Sequence, residues 1–174
     1  MLLSVSAAAA TSEIHAEALY HLSGVYANTK QWAQARATAE QLRRLYPQSN
    51  WTVRAFVDAG GQAREARSEA EAFSFFRAAV SAFPARAETA SAQFELAWSA
   101  HEAKNYAEAA RLLIEHVAEY ADKNTDFRGR SGYWAARNAE RAGASPKRAL
   151  STKRWAHATM RPGTAISPRG VWRK

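Results

Sequence analysis

Apolar residues recur at helical spacing along most of this chain, and Pro, Gly and polar clusters cut the pattern into segments. Between Ala18 and Pro47, Ala18, Leu19, Leu22 and Tyr26 share one face of a first predicted helix. After a tight turn, Trp32, Ala35, Ala39 and Leu42 carry the 3.6-residue period along a second helix, which Pro47 stops. Moved 37 residues on, Pro47 falls on Pro84, Ala35 on Ala72 and Ala39 on Phe76. Another step takes Ala72 to Ala109, Phe76 to Leu113 and Glu69 to Tyr106. The period holds at independent positions, so the chain is predicted to be built from copies of one unit.

The unit resembles a tetratricopeptide repeat: large apolar residues early in the first helix, small Ala where two helices cross closely, and Pro at the end of about 34 residues. Three units are expected at 16–49, 53–86 and 90–123, each followed by a short connector. The middle one is expected to be weakest, because Gly60-Gly61 falls within its first helix and two adjacent glycines cost about 2 kcal/mol relative to Ala. After a polar loop, Asp122 to Gly132, the segment SGYWAARNAERAG is predicted as a half unit at 131–143. It carries Trp134, Arg137, Asn138 and Arg141 and closes on Gly143 as a C-terminal cap. No second helix follows it in the pattern, so Trp134 and Ala135 are expected to form an uncovered stripe.

Composition agrees. The chain of 174 residues is 47% apolar, Ala-rich and Gly-poor, which favours helix over strand. The expected fold is all-α: a tetratricopeptide-like right-handed superhelix of helix pairs over 13–143, with a frayed start at 1–12 and a disordered basic tail at 144–174. The net charge of +8 is a property of that tail. Residues 1–146 hold 16 Lys/Arg and 16 Asp/Glu, whereas 147–174 hold eight Lys/Arg and no acid. Clustered cations interleaved with Trp155 and Trp172 are the ingredients of a nucleic-acid or membrane-surface arm. Arg, Pro, Gly, Ala and Trp are also what a GC-rich gene yields out of frame, and no nucleic-acid partner is expected.

Cysteine is absent, which excludes disulfides, thiolate metal sites and a Cys nucleophile. MLLSVSAAAA is too short to span a bilayer and lacks the basic opening of a signal peptide. The five His include no His-Glu-x-x-His pair, Gly60-Gly61 lacks the Lys-Ser/Thr of a phosphate loop, and Glu69 and Glu71 point about 200° apart on a helix. His116 is expected to be packed inside and His21 solvated. No cofactor, metal or catalytic residue is expected.

Two stretches, EALYHLSGVYANTKQWAQARATAEQLRRLYPQSNW and AQFELAWSAHEA through Gly143, resemble in content and order the superhelical domain of soluble lytic transglycosylases. Gly132-Tyr133-Trp134-Ala135-Ala136-Arg137 is similar to the Tyr-Trp-x-Ala-Arg signature of that family's later helix pairs. The resemblance implies a non-catalytic scaffold of a periplasmic enzyme acting on peptidoglycan. Its catalytic Glu typically sits in a Glu-Ser dipeptide, and this chain has none, nor a Gly-Leu-Met segment. The catalytic domain in cis is therefore expected to be missing and the chain to have no glycan-cleaving activity. The family continues with a helix beginning Ala-Leu-Tyr and ending in a Trp-Tyr-Gly-Tyr-Leu-Ala-like segment, which a shifted reading of the codons for Ala149 to Arg169 can spell. The tail is accordingly expected to be a frameshifted translation of a truncated gene. The family is periplasmic, while the lack of a convincing signal peptide points to the cytoplasm for the chain as made.

One surface is a candidate for binding, the concave wall lined by the first helices. By repeat position it carries Tyr20 and Asn28 from the first unit, and Phe94, Trp98, His101 and Glu102 from the third. Aromatic and polar groups together suit peptidoglycan or a protein or peptide partner. The alternative function is a free-standing tetratricopeptide adaptor that binds a protein in this groove.

Overall fold

Seven α-helices and one short 3₁₀ turn, with no strand, account for the described residues of the computed structural model, which are 2–123 and 128–143. They are α1 (Leu2–Asn28), α2 (Trp32–Leu45), α3 (Asn50–Glu65), α4 (Glu69–Ala82), the turn Ala87–Thr89, α5 (Ala90–Glu102), α6 (Tyr106–Tyr120) and α7 (Arg128–Arg141). The chain has an all-α helical-repeat fold. The basic tail lies outside the described residues, and with it the expected disorder and frameshift. The chain divides into two compact units, one ending at Ser99 and the other beginning at Ala100.

The 37-residue period reappears in backbone geometry. The second helices α2, α4 and α6 begin at Trp32, Glu69 and Tyr106. Just before each, Lys30, Arg67 and Lys104 adopt the left-handed conformation, with φ of 59°, 58° and 60°. At the first turn the amide of Lys30 reaches the carbonyl of Ala27 at 3.0 Å, and that of Gln31 reaches Tyr26 at 2.8 Å. The same pair of bonds recurs at Arg67 and Ser68, and again at Lys104 and Asn105. This is the Schellman arrangement, which satisfies carbonyls the ending helix leaves open and reverses the chain in few residues. A second echo closes the pairs: Thr52 Oγ1 donates to the Tyr46 carbonyl at 2.6 Å, and Thr89 Oγ1 to the Phe83 carbonyl at 3.0 Å.

In the first unit the core runs from Ala16 and Leu19 through Leu42, Val53, Phe56, Phe75, Phe76 and Ala79 to Leu96. Ala35, Ala39 and Leu42 are buried on α2 as the period predicts. The face of α1 is a correction. Ala18 and Leu22 are exposed, and the buried stripe is Ala16, Leu19, Ser23 and Ala27, with Tyr26 half-buried. Helix α1 is apolar on both sides, so periodicity does not choose between them. The stripe of small residues wins because it lets α2 approach closely, and Ser23 Oγ donates to the Ala35 carbonyl across that contact at 3.2 Å. Helix α1 also begins at Leu2, before the expected boundary at 13, through a stretch free of Gly and Pro.

The middle unit is not broken by its glycines. Helix α3 runs unbroken through Gly60-Gly61, and a Cβ on Gly60 would lie 2.5 Å from the Phe76 ring of α4. Gly60 is the spacer that allows this crossing, while Gly61 faces open space. Glu69 and Glu71 diverge as expected, Glu69 to Arg64 at 3.0 Å and Glu71 to Arg36 at 2.5 Å.

In the second unit α7 packs on α6. Ala109, Leu113, His116, Val117 and Tyr120 are buried on α6, and Ser131, Ala135, Asn138 and Ala139 on α7. This corrects the expected bare stripe: Ala135 is 3% exposed, and Trp134 is half-buried with its ring edge-on to His101 at 5.1 Å. Helix α7 starts at Arg128, inside the stretch expected to be loop, and Gly143 follows its end with φ 76°. His116 is fully buried, its ring tilted against Tyr120 at 4.8 Å.

Candidate functional site

In the first unit α1 and α3 run side by side in the same direction, and between them opens a groove of about 270 Å³. Its α1 wall is Tyr20, His21, Gly24, Val25 and Asn28; its α3 wall is Ala55, Asp58, Ala59 and Gln62. The α1 residues recur at i, i+4 and i+8, which places them on one face of the helix. The floor is small on both sides, since Gly24 has no side chain and a Cβ there would meet nothing within 4 Å.

One end of the groove is closed by a cluster of linked side chains. The Tyr20 hydroxyl donates to Asp58 Oδ2 at 2.7 Å, and its ring packs on Trp51 with centroids 5.0 Å apart. The Arg54 guanidinium lies over both rings, 5.0 Å from each centroid, and donates to the Tyr20 oxygen at 3.3 Å. Burial, and then the Asp58 carboxylate accepting its proton, push the Tyr20 phenol above its ordinary value. Tyr20 is thus held neutral as a donor. The other end carries two side-chain amides, Asn28 and Gln62. Gln62 Oε1 is shielded from solvent and meets no hydrogen-bond donor.

Of the residues singled out on the sequence, Tyr20 and Asn28 come together in this groove. Phe94 is 2% exposed, its ring parallel to Trp98 within 9° at 6.2 Å, so it lies inside the packed unit. His101, in the second unit, meets Asn138 Oδ1 through Nδ1 at 2.7 Å, and Asn138 Nδ2 donates to the Trp134 carbonyl at 2.7 Å. An Asn whose amide is already donating offers its oxygen, so the His101 Nδ1 facing it is the donor of this pair. Glu102 is exposed at the end of α5. His21 is exposed, as expected, and stands at the edge of the groove with its ring 5.1 Å from Tyr20.

Asp58, Gln62 and Arg54 were not legible as site residues. Asp58 lies 37 residues after His21, so the repeat step marks its place, but nothing local distinguishes it from a surface acid. Among the described residues no cluster of three His, Asp or Glu is placed to hold a metal ion, and no helix is long and apolar enough to cross a membrane.

The tetratricopeptide repeat family matches residues 17–49, the second half of α1 and all of α2. No curated protein and no solved structure matches the chain significantly. The match and the all-helical architecture support a tetratricopeptide-like scaffold, a class that serves protein interaction. Nothing in the comparisons points to the lytic transglycosylases.

Proposed function

We propose that this chain is a protein-interaction scaffold that takes an extended peptide segment in the groove between α1 and α3. The observation that carries the reading is Gln62, whose amide oxygen is buried without a donor beside the groove. An acceptor left in that state costs about 1–3 kcal/mol, which a peptide N–H would relieve once the terminal amide turns toward it. Asn28 supplies a second side-chain amide, this one exposed, at the same end of the groove. The size of the groove supports the same reading: small-molecule sites are roughly 300–1,000 Å³ and enclosed, whereas this one suits one or two side chains of a longer ligand. Small apolar residues fit over Gly24 and Ala59, and a donor fits beside Asp58.

The narrower reading, a scaffold piece of a peptidoglycan lytic transglycosylase, has the Gly132–Arg137 segment as its main support and no structural observation favouring it.

Peptides selected from a random display library against the whole chain test the proposal. Gln62→Met removes the stranded acceptor, so it should raise chain stability by about 1 kcal/mol while weakening selected peptides about tenfold. Asn28→Ala should weaken them as well. Peptides whose affinity ignores Tyr20, Asn28 and Gln62 would overturn the assignment.

A further inference from the structure

The repeat itself shows what the outer face of α1 is shaped to receive. Helix α3 accepts α1 through Trp51, Ala55, Asp58, Ala59 and Gln62. Thirty-seven residues earlier, the same positions on α1 are Ile14, Ala18, His21, Leu22 and Val25. On α3 this face is covered, with Ala55 and Ala59 each 2% exposed. On α1 its counterpart is open: Ile14 is 66% exposed, Val25 57% and Leu22 42%. Large apolar side chains seldom line up in this way on a surface that stays in water.

We propose that the Ile14, Ala18, Leu22 and Val25 stripe is a docking surface for a helical hairpin of the same repeat type, carried by a partner, whose leading helix lies parallel to α1. The stripe is continuous in register with the α1–α3 interface, and that continuity defines the occupant. The polar positions state its chemistry. On α3, Arg54 and Asp58 clamp Tyr20 of α1. On α1 those places are held by Glu17 and His21, 3.8 Å apart. An acid where α3 has a base calls for a Lys or Arg on the incoming helix at the position Tyr20 occupies on α1. This surface borders the peptide groove, sharing Val25 and His21 with it, and extends beyond it through Ile14, Ala18 and Leu22, which do not line the groove.

The probe is a lactam-bridged helical peptide carrying residues 13–29 of this chain with Tyr20→Lys, titrated by fluorescence anisotropy against the whole chain. Saturable binding is expected, weakened about tenfold or more by Leu22→Glu and by Ile14→Glu in the chain, because each removes a buried aliphatic contact. Glu17→Lys in the chain should also weaken it, and a peptide with Tyr20→Glu should restore binding to that variant. The charge exchange sits at a half-buried surface residue whose side chain is 46% exposed, so it tests the proposal even where an apolar substitution disturbs folding. No binding at millimolar peptide, or binding indifferent to Leu22, Ile14 and Glu17, overturns it. A chain that sediments as a dimer and becomes monomeric with Leu22→Glu also overturns it, because a second copy would then own the stripe.

Discussion

Phe76 occupies the space a side chain on Gly60 would need: a Cβ there would lie 2.5 Å from Phe76 Cε1 and 2.6 Å from Cδ1. The ring is only 3% exposed and has no room to retreat. Gly60→Ala should therefore lower stability by about 1–3 kcal/mol, read from the urea midpoint. Phe76→Leu in the same chain should recover part of the loss. Gly61→Ala meets nothing within 4 Å and should raise stability by up to about 1 kcal/mol through helix propensity. Equal effects at the two positions would refute the spacer role.

The left-handed residues Lys30, Arg67 and Lys104 each hold a conformation that costs an L-residue roughly 1–2 kcal/mol. Replacing any one by Gly should stabilise the chain by about 0.5–1 kcal/mol, the net of relieved strain and a more flexible unfolded chain. A β-branched residue such as Val at Lys30 should do the opposite. Thermal melts of the single variants settle the sign.

Thr52 and Thr89 tie the end of one helix pair to the start of the next through carbonyls 46 and 83. Val keeps their shape and removes the hydroxyl. Thr52→Val and Thr89→Val should each cost about 1–2 kcal/mol, and the double variant should cost nearly the sum. A Ser at either site should restore most of the bond.

On α6, Arg111 bridges Glu108 at 2.5 Å and Glu115 at 2.6 Å. Its hydrogen bond, more than its charge, holds the Glu108 carboxyl below the ordinary 4.5. A depressed carboxylate contributes stability above its unfolded pKa and loses it as the pH falls through the lowered folded value. The gain is therefore present at neutral pH and disappears below about pH 4. Because both partners are well exposed, Glu108→Gln should cost no more than about 0.5 kcal/mol at pH 7 and nothing at pH 2.5. A cost that persists in acid would show that the ion pair is not its source.

The period of 37 was legible because it rests on residue types that differ sharply in size, such as Trp32, Ala35 and Pro47, and because the breaks between helices are chemically marked. The α2 face followed from it directly. The α1 face did not, because a helix apolar all round offers two stripes and only the small-residue contact with α2 selects one. Gly60 read as a weakness for a related reason. Whether a glycine breaks a helix or spaces two apart depends on a residue elsewhere in the chain, here Phe76. Tyr20 and Asn28, which repeat position places on one wall, both line the groove, whereas Gln62 stands out only because packing strands its oxygen. Phe94 shares the repeat position of Tyr20, yet lies inside the packed unit.

The three turns at Lys30, Arg67 and Lys104 bear on the chain's descent. Each occupies a position where Gly or Asn is the ordinary occupant, and each holds a long basic side chain instead. Between these turns the units have drifted far, from Tyr26 to Ala63 to Ala100 at one core-side position. A basic side chain kept at the same left-handed bend in three otherwise divergent units is the trace that copying of one segment would leave.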